Sequence, residues 1–131
     1  MRQAWQDLGG DWSGVRVAVC ARSSAAEAYD AAVDLLSAPD APDAIAAMSD
    51  EQALGVLRAA AHLGRRVPED VAVSGWDDTN SAPSAGLATI AQSLRDQGST
   101  CARLALCQTL DHPDESTAWR LVRRTSTRSP A

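Results

Sequence analysis

An α/β fold, a parallel sheet with helices on both faces, is what this sequence predicts, and three observations predict it. Short apolar runs of β type alternate with stretches of helical periodicity. Polar capping residues, glycines and prolines mark the joints between them. Repeated βα units of this kind close into a parallel sheet that helices must cover. At 131 residues the chain suits one domain, 1–131, and a domain of that size buries roughly two-thirds of its unfolded surface.

Each element follows from local chemistry. Val15-Arg16-Val17-Ala18-Val19-Cys20 is a β-rich run and predicts the first strand. Ser23 or Ser24 can cap a helix to about Leu36, because Ala28, Ala32, Leu35 and Leu36 keep helical spacing, and Pro39 and Pro42 end it. Ala44 to Met48 is short and apolar enough for a buried parallel strand. Ser49 or Asp50 caps a helix from Glu51 to Leu63, with Gly64 at the left-handed C-terminal position. Val71 to Trp76 is the third strand and Leu87 to Ile90 the fourth. Ser93 caps a helix from Leu94 to about Leu110, Asp111 to Asp114 turns, Trp119 to Arg123 makes a final strand, and Ser126 to Ala131 is a tail.

Composition excludes several functions. The hydrophobic share of 45% is ordinary for a soluble protein, and all 12 basic residues are Arg. A net charge of −5 argues against a broad nucleic-acid face. The one basic cluster, Arg120, Arg123, Arg124 and Arg128, reads as solvated strand and tail. No apolar run approaches the roughly 20 residues of a membrane span, and the N-terminus has no apolar signal core, so a cytoplasmic protein is expected. Cys20, Cys101 and Cys107 have no C-x-x-C spacing and read as small buried hydrophobes, without disulfide or zinc. His62 and His112 read as surface residues. With no matched base, metal-ligand set or nucleophile elbow, neither an enzyme nor a cofactor is expected.

In parallel sheets, ligands bind outside the carboxyl ends of the strands. Two polar loops stand there: Ser49-Asp50 after the second strand and Trp76-Asp77-Asp78 after the third. Geometry alone nominates these as a site. Ser49 and Asp50 can equally serve as helix caps.

The run Pro42 to Gly55, PDAIAAMSDEQALG, resembles the LacI/GalR pattern "PDAI-a-a-NDxxALG". Leu63 to Asp78, LGRRVPEDVAVSGWDD, resembles that family's "LGxxVPEDVAVvGfDD", and Leu87 to Ile90 and Leu121 to Ser126 resemble its "LTTi" and "LVvRxST". The resemblance implies the C-terminal subdomain of a periplasmic-binding-protein-like, effector-binding domain in a bacterial transcription regulator. It also implies a small sugar-like effector, a homodimer, and DNA contact only through a helix-turn-helix that this sequence lacks. By the same resemblance Asp77 accepts hydrogen bonds from effector hydroxyls, each charge-assisted bond contributing about 1.5–3 kcal/mol. Trp76 either packs on a sugar face or fills the core. Ser49 stands where the family has Asn, and Asp78 fixes the loop.

The family's "RxxGf" arginine would fall at Met1 if Trp5 is the aromatic, so the chain is expected to be a piece of a longer protein. Segment 93–118 would normally pack on an N-terminal subdomain, and here is expected to swap between two chains, repack or lose order. Transport-type binding and a stand-alone oligomerisation module are the competing functions.

Overall fold

The computed structural model describes residues 2–106 and 119–128. Cys107, the expected helix end to Leu110, the turn at Asp111–Asp114 with His112, and the last three residues lie outside that range. The chain runs through helix α1 (Arg2–Asp7), a 3-10 turn (Trp12–Gly14), α2 (Ala25–Ser37), strand β1 (Ala44–Ala46), α3 (Asp50–His62), β2 (Ala72–Asp77), β3 (Ala88–Ala91), α4 (Leu94–Ala105) and β4 (Arg120–Val122).

The α/β expectation is borne out. Four strands lie in sequence order; β1, β2 and β3 are mutually parallel, while β4 returns antiparallel to β3. Registers such as Ile45 opposite Val73 and Asp77 opposite Ala91 align the carboxyl ends of the parallel strands at one edge.

The helices begin where capping chemistry places them. Ser24 accepts from the Glu27 amide to start α2, and Glu27 Oε2 in turn accepts from the Arg22 amide. Ser49 accepts from the Gln52 amide to start α3, and Gly64 takes φ +66° just beyond that helix. The two helices pack closely on each other, and α3 also packs on β2. Small residues permit this: Ala28, Ala32, Ala53, Ala59 and Ala60 are buried between the layers. At Gly55 a Cβ would stand 2.2 Å from the Ala25 carbonyl oxygen, so only glycine allows the two backbones this approach. Leu36, Val71, Val73 and Leu87 are fully buried beneath them, each worth about 1.5–3 kcal/mol relative to exposure. His62, at the end of α3, stacks on Tyr29 of α2 and is hydrogen-bonded to its hydroxyl.

Three expectations need correction. Val15–Cys20 forms no strand among the described residues: Val17 and Val19 are 72% and 88% exposed. Its residue types suit a pleated surface, but a strand exists only where an edge pairs with it, and propensity supplies no partner. The two cysteines among the described residues are not buried, Cys20 being partly covered and Cys101 exposed. Nor is the C-terminal basic run simply solvated. Arg124 is part-buried, Ser126 is buried, and Arg128 donates to the carbonyls of Pro68 and Glu69 at 3.2 and 2.8 Å.

Ser126 shows what this segment does. Its hydroxyl donates to the Val73 carbonyl at 2.6 Å and accepts from the Ala88 amide at 2.8 Å, while its own carbonyl accepts from the Val73 amide. It thereby bridges β2 and the start of β3. On the approach to β2, Asp70 receives a two-pronged bond from Arg66, and that guanidinium holds the Asp70 carboxyl well below the ordinary carboxylate range. Among the described residues, no helix is long and apolar enough to cross a membrane.

Candidate functional site

An open groove of about 650 Å³ lies at the carboxyl ends of β2 and β3. Residues Asp77–Asn80 form one wall, and Gln92–Asp96, leading into α4, form the other. This is where a parallel sheet leaves main-chain ends and loop side chains free to meet a ligand.

Asp77 closes β2 and is partly exposed to the groove. Gln92, just past β3, donates its amide to Asp77 Oδ1 at 2.9 Å. Parallel pairing explains the meeting, since Asp77 is opposite Ala91 and Gln92 is the next residue. Among the described residues no other group bonds the Asp77 carboxylate, which leaves acceptor capacity directed at the groove.

The turn that carries Asp77 is strained. Asp77 has φ +113° and Asp78 φ +55°, both in territory that side chains other than glycine rarely occupy, at a cost of about 1–3 kcal/mol per residue. Surrounding bonds hold it. Asp78 Oδ1 accepts from Arg124 Nη2 at 2.7 Å, and Arg124 Nη1 reaches the Leu87 carbonyl at 2.7 Å. The Arg124 and Asp78 side chains are 17% and 23% exposed, so this pair is screened less than a surface one. Asp78 therefore fixes the loop, as its place in the sequence suggests.

Asp50, by contrast, is completely buried. Its Oδ2 accepts from the Thr79 amide at 2.7 Å and the Thr79 hydroxyl at 3.1 Å, and its Oδ1 accepts from the Thr89 hydroxyl at 2.6 Å. Both oxygens serve the protein's own donors. Gly75 makes room for it, since a Cβ there would lie 2.3 Å from Asp50 Oδ1.

Ser49 is partly buried; its hydroxyl caps α3 and shares a 3.0 Å hydrogen bond with Ser23. Trp76 lies outside the groove lining. It meets Trp119 edge to face, with centroids 5.1 Å apart and planes at 78°. Of the four nominated residues, Asp77 lines the groove, Asp50 bonds to Thr79 in its wall, and Ser49 and Trp76 are not part of its lining.

Two groups at the site escaped the reading of the sequence. Gln92 was findable, being the first long polar side chain beyond a strand end. Arg124 was not, because no local signal joins it to a loop 46 residues earlier. Among the described residues no cluster of His, Cys, Asp and Glu could hold a metal ion.

The periplasmic binding protein-like domain family matches residues 1–127. An uncharacterised HTH-type transcriptional regulator, YvdE of Bacillus subtilis, is 44% identical over 77 residues, 56% of this chain and 24% of its own length. The HTH-type transcriptional repressor PurR of Salmonella arizonae is 35% identical over 104 residues, 75% of this chain and 30% of its own. A LacI family regulator from Arthrobacter, solved in complex with lactose, superposes with a TM-score of 0.74 at 33% identity over 97% of this chain and 48% of that one. The chain thus spans under a third of these curated relatives and about half of that solved chain.

Proposed function

Because the chain belongs to the periplasmic-binding-protein-like family, as a region of the effector-binding domain of LacI-type regulators, we propose that its groove takes a polyhydroxylated, sugar-like effector. The observation that carries this reading is Asp77, a carboxylate at the carboxyl end of a central strand with acceptor capacity turned to open space. A carboxylate accepts two hydroxyls at once, and Gln92 fixes its plane while offering a further amide group. Ser49 and Trp76, outside the lining of the open groove, are proposed as secondary contacts reached when the cleft closes.

In the whole regulator, effector would bind one closure of the cleft better than another. It would so shift the population between two geometries of a dimer that meets DNA through a separate head. The lactose bound by the Arthrobacter relative favours a sugar over other small ligands.

The test is an NMR titration of this chain with lactose, sucrose, glucose and ribose. Expected are shifts at Asp77, Gln92 and Arg95 with a Kd of about a millimolar, some 4 kcal/mol, because only part of a two-sided cleft is contributed. Asp77→Asn should weaken that binding about tenfold, near 1.4 kcal/mol, as losing charge-assisted bonds requires. Shifts elsewhere, or binding indifferent to Asp77→Asn, would overturn the proposal.

A further inference from the structure

We infer that Asp50 is a positioning residue: its buried carboxylate holds the strained Asp77–Asp78 turn and so sets where the Asp77 carboxylate stands. The inference rests on the reading of Asp77 as the ligand-binding group. It concerns a different residue, one that touches no open space.

The argument begins with burial. A carboxylate with no exposed surface persists only when its oxygens are bonded, and here three donors meet it. All three come from residues next to the turn or directly beneath it. Thr79 follows Asp78 and is bound through both its amide and its hydroxyl. Thr89, fully buried on β3, donates its hydroxyl to Asp50 Oδ1, and its Oγ1 accepts from the Asp78 amide at 3.4 Å. A single hydroxyl so passes a connection from Asp78 to Asp50. It uses its one proton in one direction and a lone pair in the other.

Asp50 therefore reaches the turn by two routes, through Thr79 directly and through Thr89 indirectly. Arg124 grips Asp78 independently through its carboxylate. Backbone at positive φ persists when its surroundings over-determine it, and these bonds supply that excess. The sequence is consistent with the arrangement at Gly75, where any side chain would displace the Asp50 carboxylate.

The experiment is native-state amide exchange on this chain, with lactose titration as a second readout. Asp50→Asn and Thr89→Val should speed exchange at Asp78 and Thr79 by about tenfold, with Val73 in β2 unchanged. Thr89→Ser, which keeps the hydroxyl, should match the unsubstituted chain. Lactose affinity should fall with Asp50→Asn and Thr89→Val and be retained with Thr89→Ser. Equal acceleration at Val73 would mean the network merely holds the fold, and would overturn the inference. Unaltered exchange at Asp78 and Thr79 in Thr89→Val would do the same, even if Asp50→Asn fails to fold. Local acceleration in a chain that never binds lactose would leave the brace standing and remove the ligand reading instead.

Discussion

Gly55 and Asp50 illustrate how much a single side chain depends on what lies opposite it. Gly55 sits inside a helix, where Ala is ordinarily favoured by about 1 kcal/mol. Here the added methyl would meet the Ala25 carbonyl at 2.2 Å, a main-chain atom that cannot swing aside. Gly55→Ala is expected to destabilise by about 1–3 kcal/mol despite its better helix propensity, read as a lower urea midpoint at unchanged m-value. Asp77 was legible as a residue at the groove because its position at a strand end is a local fact. The role of Asp50 was not. A Ser-Asp pair at the head of a helix reads equally as cap and as ligand, and the choice is made by Thr79 and Thr89, 29 and 39 residues away.

The elements divide along the same line. α2 and α3 were legible almost to the residue, since Ser24, Ser49 and Gly64 carry the instruction to start or stop within a turn of its effect. Strands β2 and β3 were legible within one residue because they are apolar and bounded. The Val15–Cys20 run misled because pairing is a property of two segments. Its polar counterpart was the C-terminal segment, which reads as a tail yet enters the sheet through Ser126. Ser126→Ala would leave the Ala88 amide without its hydroxyl acceptor and the Val73 carbonyl without its side-chain donor, both beside a buried residue. The expected loss is about 1–3 kcal/mol. Thermal or urea unfolding measures it, and a stability equal to the unsubstituted chain would show that water replaces the stitch.

For the molecule as a whole, α4 differs from the other long helices. It buries no residue, while Leu94, Leu104 and Leu106 stand exposed along and just beyond it. That segment 93–118 packs on an N-terminal subdomain, as the resemblance implies, is a proposal, and so is a swap between two copies. Exposed leucines add little to the stability of the single chain but favour self-association. Leu104→Glu together with Leu106→Glu is expected to leave the unfolding midpoint within about 0.5 kcal/mol of the original and to lower the weight-average mass in sedimentation equilibrium. A lower midpoint at unchanged mass would instead mean that α4 packs on its own chain in solution.

The bonds that Arg124 and Ser126 make to Asp78 and Val73 span 46 and 53 residues. A chain leaving the ribosome can form α2, α3 and their contact before that turn is complete, because both helices precede it in sequence. The turn bearing Asp77 gains its Arg124 grip only after that much more chain has been made and released from the exit tunnel. The turn that carries Asp77 is thus among the last parts of this segment to be fixed during synthesis, and a nascent chain halted before Arg124 would carry the helical layer without a finished groove.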